Sequence, residues 1–138
     1  IIKVFGGNQL RPNLHIMDYC DAVDTLIKAD SNKIKNQIFN VGYQNLSIIE
    51  IAELVKKVVQ KEFPKKEKIE ILKQPSDDNR SYHINSDKIK KILNYSPKRS
   101  IGNAIKDLCE AFKKNLLKNS FEEDIYFNVD RLKNIQAK

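Results

Sequence analysis

Ile38-Phe39-Asn40-Val41-Gly42, followed by Ser47-Ile48-Ile49-Glu50-Ile51-Ala52-Glu53-Leu54-Val55, decides how this chain reads. Ile38 to Val41 has the form of a short strand, and Gly42 closes it. Ser47 and Glu50 then stand at the spacing of a capping box, in which the serine side chain and the glutamate each satisfy a backbone N–H at the start of a helix. Ile51, Leu54, Val55, Val58 and Val59 recur at helical spacing, with Lys56, Lys57 and Lys61 on the wet side. Phe63-Pro64 ends the run, because the residue before a proline is driven out of the helical region.

Upstream, Ile2–Phe5 reads as a strand that enters a turn at Gly6-Gly7-Asn8. A loop to Leu14 and a brief extended piece, His15 to Met17, precede a helix. Asp18 is its expected N-cap, Asp21 lies in its first turn, and Ala22, Val23, Leu26 and Ile27 form its stripe. Downstream, 68–72 alternates as a strand, Pro75 to Arg80 is a polar loop, and Tyr82 and Ile84 alternate again. Ser86 opens a helix through Ile89, Ile92 and Leu93 that breaks between Asn94 and Pro97. Ser100 caps the last firm helix, whose expected face is Ile101, Ala104, Ile105, Leu108 and Phe112, continued by Leu116. Past Lys118 the pattern weakens, and Phe121 with Tyr126-Phe127 suggests a tail packed on something. The expected domains are therefore 1–117 and a tail, 118–138. The fold class is α/β, of mixed α+β character. Its few short strands suggest a sheet whose other strands are missing.

The chain has 138 residues, the size of one compact domain. It begins at Ile1 and its only methionine is Met17, which suggests a piece of a longer reading frame. No apolar run is long enough to span a bilayer, and a cytoplasmic location is expected. Cys20 and Cys109 are isolated and read as small buried hydrophobes rather than a disulfide or metal pair. The formal net charge of +7 raises the alternative of a stand-alone basic module that binds nucleic acid or a protein partner. That reading needs lysines gathered on one face with aromatics among them. Here the lysines are spread along several helices and mixed with acids.

Arginine is scarcer and more informative, with only Arg11, Arg80, Arg99 and Arg131 present. Its planar fork can grip a phosphate or carboxylate through two parallel hydrogen bonds. Arg11 follows the glycine turn in Gly6-Gly7-Asn8-Gln9-Leu10-Arg11, where backbone can approach a ligand closely. Arg80 stands in Ser76-Asp77-Asp78-Asn79-Arg80-Ser81-Tyr82 beside two carboxylates. This second arginine either shapes its own loop through an ion pair or forms part of a phosphate clamp, with Asp77 or Asp78 orienting the guanidinium.

These blocks carry a resemblance. Gly7-Asn8-Gln9-Leu10-Arg11, His15-Ile16-Met17-Asp18, Ile38 to Gly42, Ser47 to Ala52, Asp78-Asn79-Arg80-Ser81-Tyr82, and Lys88-Ile89 through Pro97 follow the order seen in extended short-chain dehydrogenase/reductases. The branch they resemble contains the NAD-dependent sugar-nucleotide epimerases and dehydratases, which are isomerases and lyases. The likeness spans nearly all of residues 1–116 and corresponds to the C-terminal half of such an enzyme. It implies a part that closes over an absent N-terminal Rossmann domain and holds a nucleotide-diphosphate sugar, in an enzyme that is usually a homodimer. By the same resemblance Arg11 and Arg80 contact the diphosphate, and Asn8, Gln9, His15 and Asp78 belong to the substrate side. Two departures stand out. Pro12-Asn13 follows the first arginine where many members have Asp and an aromatic, and Gln74-Pro75-Ser76 replaces an Arg-Pro-Gly segment.

The residues that would hold the cofactor and perform the chemistry are not expected in this chain. Its four glycines, at 6, 7, 42 and 102, form no dinucleotide-binding cluster. The family's catalytic Tyr-x-x-x-Lys pair is absent too. The residues four positions after Tyr19, Tyr43, Tyr82, Tyr95 and Tyr126 are Val23, Ser47, Ser86, Arg99 and Asp130. No catalytic or metal-binding residue is therefore assigned, and NAD or NADP is expected only in the full-length enzyme. His15 reads as structural or as lining the nucleotide pocket.

Overall fold

The structure, a computed structural model, describes residues 1–78 and 80–136. Asn79, part of the second arginine stretch, and Ala137 and Lys138 lie outside the described residues. Residue contacts divide the chain into two units, 1–107 and 108–138.

The first unit contains β1 (Ile2–Phe5), β2 (Leu10–Asn13), α1 (Ile16–Lys28), α2 (Ser31–Ile34), β3 (Gln44–Ser47), α3 (Ile48–Glu62), β4 (Ile71–Gln74) and α4 (Asp87–Leu93). α5 (Ile101–Lys113) begins in the first unit and ends in the second. The strands pair as two separate ribbons. β1 and β4 are parallel, with Ile2 opposite Ile71 and Phe5 opposite Gln74. β2 and β3 are antiparallel, with Leu10 opposite Ser47 and Asn13 opposite Gln44.

The capping box forms as the spacing predicts. Ser47 Oγ accepts from the Glu50 N–H at 3.3 Å, and the Glu50 carboxylate accepts from the Ser47 N–H at 2.8 Å. Because Ser47 is also the last residue of β3, the box fixes where strand gives way to helix.

Several expected elements shift. Ile38 to Val41 is not a strand; Phe39 and Val41 instead pack against a core of Ala22, Ile89 and Tyr95. The strand lies a few residues later, where Gln44-Asn45-Leu46-Ser47 pairs through its backbone with β2. The strand expected at 68–72 is observed at Ile71–Gln74. Residues 82–84 are not in a ladder, yet they run beside β2 and β3. Tyr82 N–H donates to the Leu10 carbonyl at 3.1 Å. The Asn45 side chain both donates to the Ile84 carbonyl and accepts from the Ile84 N–H, at 3.0 and 2.9 Å. One amide side chain thus supplies the two bonds a neighbouring strand would have made.

The start of α1 also differs from expectation. Its N-cap is His15, whose Nδ1 accepts from the Met17 N–H at 3.1 Å. Asp18 lies inside the helix with 1% exposure. Its carboxylate accepts from the N–H groups of Lys98 and Arg99 at 3.0 and 2.8 Å, and from Arg99 Nη1 at 2.6 Å. The Tyr95 hydroxyl donates to the Asp18 carbonyl. Burial pushes the Asp18 carboxyl up, but the hydrogen bonds from Arg99 and Lys98 outweigh it and hold the group below the usual aspartate range. Burial, with the nearby carboxylates, pushes the Tyr95 phenol up. The buried face of α1 therefore runs through Asp18 and Ala22, while Val23 and Ile27 of the expected stripe are exposed. Cys20 is exposed as well, contrary to the buried role expected of it, whereas Cys109 is buried.

On α5, Ile105 and Cys109 are buried, but Leu108 and Phe112 are not. The rest of the second unit holds a 3-10 turn at Asp124–Tyr126 and α6 (Asn128–Asn134). Asp124 accepts from Arg131 Nη1 at 3.3 Å and from Asn134 Nδ2 at 2.8 Å, which ties α6 back to that turn. Phe121, expected to pack, is 85% exposed. No described helix is long and apolar enough to cross a membrane.

Candidate functional site

The glycine turn after β1 positions the first arginine. Gly6 and Gly7 both have positive φ, at 75° and 128°, a region that side-chain-bearing residues rarely enter. A β-carbon on Gly6 would stand 2.6 Å from Gln9 Nε2, because the Gln9 side chain folds back over the turn. Gln9 Oε1 accepts from the Gly7 N–H at 2.6 Å, and its Nε2 donates to the Phe5 carbonyl at 3.1 Å and the Asp78 carbonyl at 3.3 Å. One amide therefore braces the turn and draws in the loop that carries the second arginine.

Arg11 lies on β2. Its Nη1 donates to the Leu10 and Arg80 carbonyls at 2.9 and 2.6 Å, and its Nη2 reaches Asp78 Oδ2 at 3.4 Å. Its guanidinium carbon sits 5.3 Å from the centre of the Tyr82 ring, within cation–π range. Arg80 turns to the same carboxylate. Its Nε donates to Asp78 Oδ1 at 2.7 Å and its Nη2 to Oδ2 at 3.1 Å, a two-point grip. The Arg80 backbone N–H also donates to Oδ1, at 3.2 Å. These bonds, the Arg80 side chain's first, lower the Asp78 carboxyl to about 2 against a smaller opposing effect of desolvation.

Both arginines therefore meet at Asp78, and of the two neighbouring aspartates it is Asp78 that orients them. Two guanidinium charges against one carboxylate leave the cluster with a net positive charge. The Arg11 side chain is 27% exposed and the Arg80 side chain 73%. An open cleft of about 320 Å³ is lined by Gly6, Asn8, Gln9 and Ser81, the last of these following Arg80 in the chain. The Ser81 hydroxyl accepts from the Leu10 N–H at 2.8 Å, which holds this loop against β2. Tyr82 and Ser81 also belong to the constellation, beyond the site residues the sequence predicts. The alternation at Tyr82 to Ile84 pointed to a strand, and the aromatic face two residues after Arg80 was the available signal.

His15 joins a different network. Its ring is 3% exposed, and its hydrogen bonds go to Met17 N–H and Asp107 Oδ2, the latter at 3.0 Å. Since Nδ1 accepts, the neutral ring carries its proton on Nε2 and donates it to Asp107. His83 is exposed. Arg99 and Arg131 are also committed internally, to Asp18 with Asp21 and to Asp124. Among the described residues, no group of three or more His, Cys, Asp or Glu side chains could hold a metal ion.

No protein-family model and no curated protein matches the chain. Solved structures do. UDP-glucose 4-epimerase from Thermotoga maritima, determined with UDP-glucose, superposes with a TM-score of 0.67 at 22% identity, over 83% of this chain and 35% of that one. dTDP-glucose 4,6-dehydratase from Bacillus anthracis, in complex with NAD, superposes at 0.65 and 21% identity, over 88% and 37%. L-threonine dehydrogenase from Phytophthora infestans gives 0.65 at 15% identity, over 82% and 37%. At these identities the likeness is one of fold, and the dehydrogenase shows the fold extending past enzymes named for nucleotide sugars. The chain spans 35–38% of the length of such proteins. It has the mixed α/β fold of the C-terminal part of short-chain dehydrogenase/reductase-type epimerase and dehydratase structures.

Proposed function

We propose that this chain is the nucleotide-sugar-binding part of an NAD(P)-dependent sugar-nucleotide epimerase or dehydratase, with Arg11 and Arg80 gripping the substrate diphosphate. One observation carries the reading: two arginines widely separated in sequence reach the same carboxylate, on a loop whose Ser81 lines an open cleft with Gly6, Asn8 and Gln9. A diphosphate needs two donor forks within one phosphate-to-phosphate span, and guanidinium groups supply them with directional, charge-assisted bonds. The structural likeness to an epimerase solved with UDP-glucose supports the same reading.

In this proposal the hydride chemistry belongs to NAD(P) and to residues outside these 138. The present residues contribute substrate affinity and orientation, and a substrate misplaced by about an ångström can cost about a hundredfold in rate. The test is Arg11→Ala in the enzyme that contains this chain. Loss of one charge-assisted contact should weaken nucleotide-sugar binding about ten- to hundredfold. Unchanged affinity would remove the clamp and the proposed function with it.

A further inference from the structure

The fork of Arg80 is already filled. Asp78 presents its two oxygens to Nε and Nη2 at 2.7 and 3.1 Å, the geometry in which a guanidinium also grips a phosphate. Asp78 Oδ2 stands 3.4 Å from Arg11 Nη2 as well. An incoming phosphate must compete with Asp78 for the same donors.

The two arginines are not equally free to change partner. Arg11 is held by two backbone carbonyls on Nη1 and lies over the Tyr82 ring. The Arg80 side chain extends into solvent and, among the described residues, hydrogen-bonds Asp78 alone. Swinging it from one acceptor to another breaks no other side-chain hydrogen bond among the described residues.

We infer that Asp78 is an internal competitor that sets the affinity of this site. In the free protein it occupies the Arg80 fork, and it releases that fork when a diphosphate bridges Arg80 and Arg11. The inference rests on the diphosphate reading above. It adds selectivity: a lone carboxylate ligand offers Arg80 nothing that Asp78 does not already supply, whereas a diphosphate engages both arginines at once. The low carboxyl pKa of Asp78 keeps the competitor charged at any physiological pH.

Asp78→Asn isolates the effect. Asparagine keeps Oδ1, so the bond from the Arg80 backbone N–H survives and the loop turn is preserved, while the charge is lost. The probe is inorganic pyrophosphate, titrated into the 138-residue chain at low salt and followed through the arginine Nε–H signals of Arg11 and Arg80. Asp78→Asn should bind it about two- to fivefold more tightly than the native chain, the size expected of an exposed ion pair. Adding Arg80→Ala should abolish that gain, and Asp78→Glu, which retains the charge, should bind no more tightly than the native chain. In the native titration the Arg80 signal should move further than that of Arg11.

Equal or weaker binding by Asp78→Asn, with Arg11→Ala still weakening it, would overturn the competitor and leave the diphosphate site standing. If neither the native chain nor Asp78→Asn binds pyrophosphate, both fall together. A purely structural role for Asp78 would disturb the loop without tightening binding.

Discussion

Replacing Asp18 by alanine should destabilise the first unit severely, for reasons the geometry makes countable. The carboxylate is 1% exposed and accepts two backbone N–H groups, from Lys98 and Arg99, and one guanidinium N–H. Alanine leaves both amides without that acceptor, at about 1–2 kcal/mol each, the lower part of the usual range because both bonds are only partly buried. Arg99 suffers less, since it is 37% exposed and keeps Asp21 at 2.8 Å. The expected loss is therefore about 2–4 kcal/mol, a large share of the ~5–15 kcal/mol that holds a typical domain together. With a urea m-value of about 1–3 kcal/mol/M for a chain of this size, the midpoint should fall by about 1–2 M. Arg99→Ala is the control. It leaves the carboxylate its two amides and should cost clearly less. Acid supplies a second axis. The Asp18 carboxyl lies below its unfolded value, so its stabilisation is complete above about pH 4 and declines as pH falls through the folded pKa. The native chain should lose stability there more steeply than Asp18→Asn. A midpoint shift below about 0.3 M for Asp18→Ala, or a larger loss for Arg99→Ala than for Asp18→Ala, would refute the reasoning.

Ser47→Ala removes the hydroxyl that accepts from Glu50 N–H and should cost about 1 kcal/mol, read as a lowered melting temperature; an unchanged melt would mean the box is not formed in solution. The Asp78 carboxyl should titrate with a midpoint about 2, followed through its carboxyl carbon signal, so the pair with Arg80 persists well below pH 4 and opens only in stronger acid. A midpoint close to 4 would show that the bidentate grip is absent.

What was legible in the sequence was local. Ser47 and Glu50 satisfy each other across one turn, so a stretch of four residues holds all the information needed to place the start of α3. The ribbon of β2 and β3 left no such trace. Gln44-Asn45-Leu46-Ser47 is mostly polar, its pairing is made by backbone, and alternation of apolar side chains is the signal it lacks. Phe39 and Val41, which do look like strand, reach the core from irregular backbone. The helix α1 misled for a related reason. Helical spacing predicts an apolar stripe, but the side facing the core carries Asp18, with His15 at the cap, and each is admitted only because distant residues satisfy it. The site fared better. In a lysine-rich chain, the rarity of arginine singled out Arg11 and Arg80. That Asp78 rather than Asp77 would join them depends on how a loop closes onto a strand much earlier in the chain, and sequence spacing does not record it.

The parallel pairing of β1 with β4 has a kinetic consequence. Position 2 waits for position 71, so the ribbon that buries Val4 closes only after everything between them has been synthesised and drawn together. Closing so long a loop is entropically late and slow. On the ribosome, α3 can coil as soon as it emerges, while the pairing of β1 with β4 waits for β4 to follow it out.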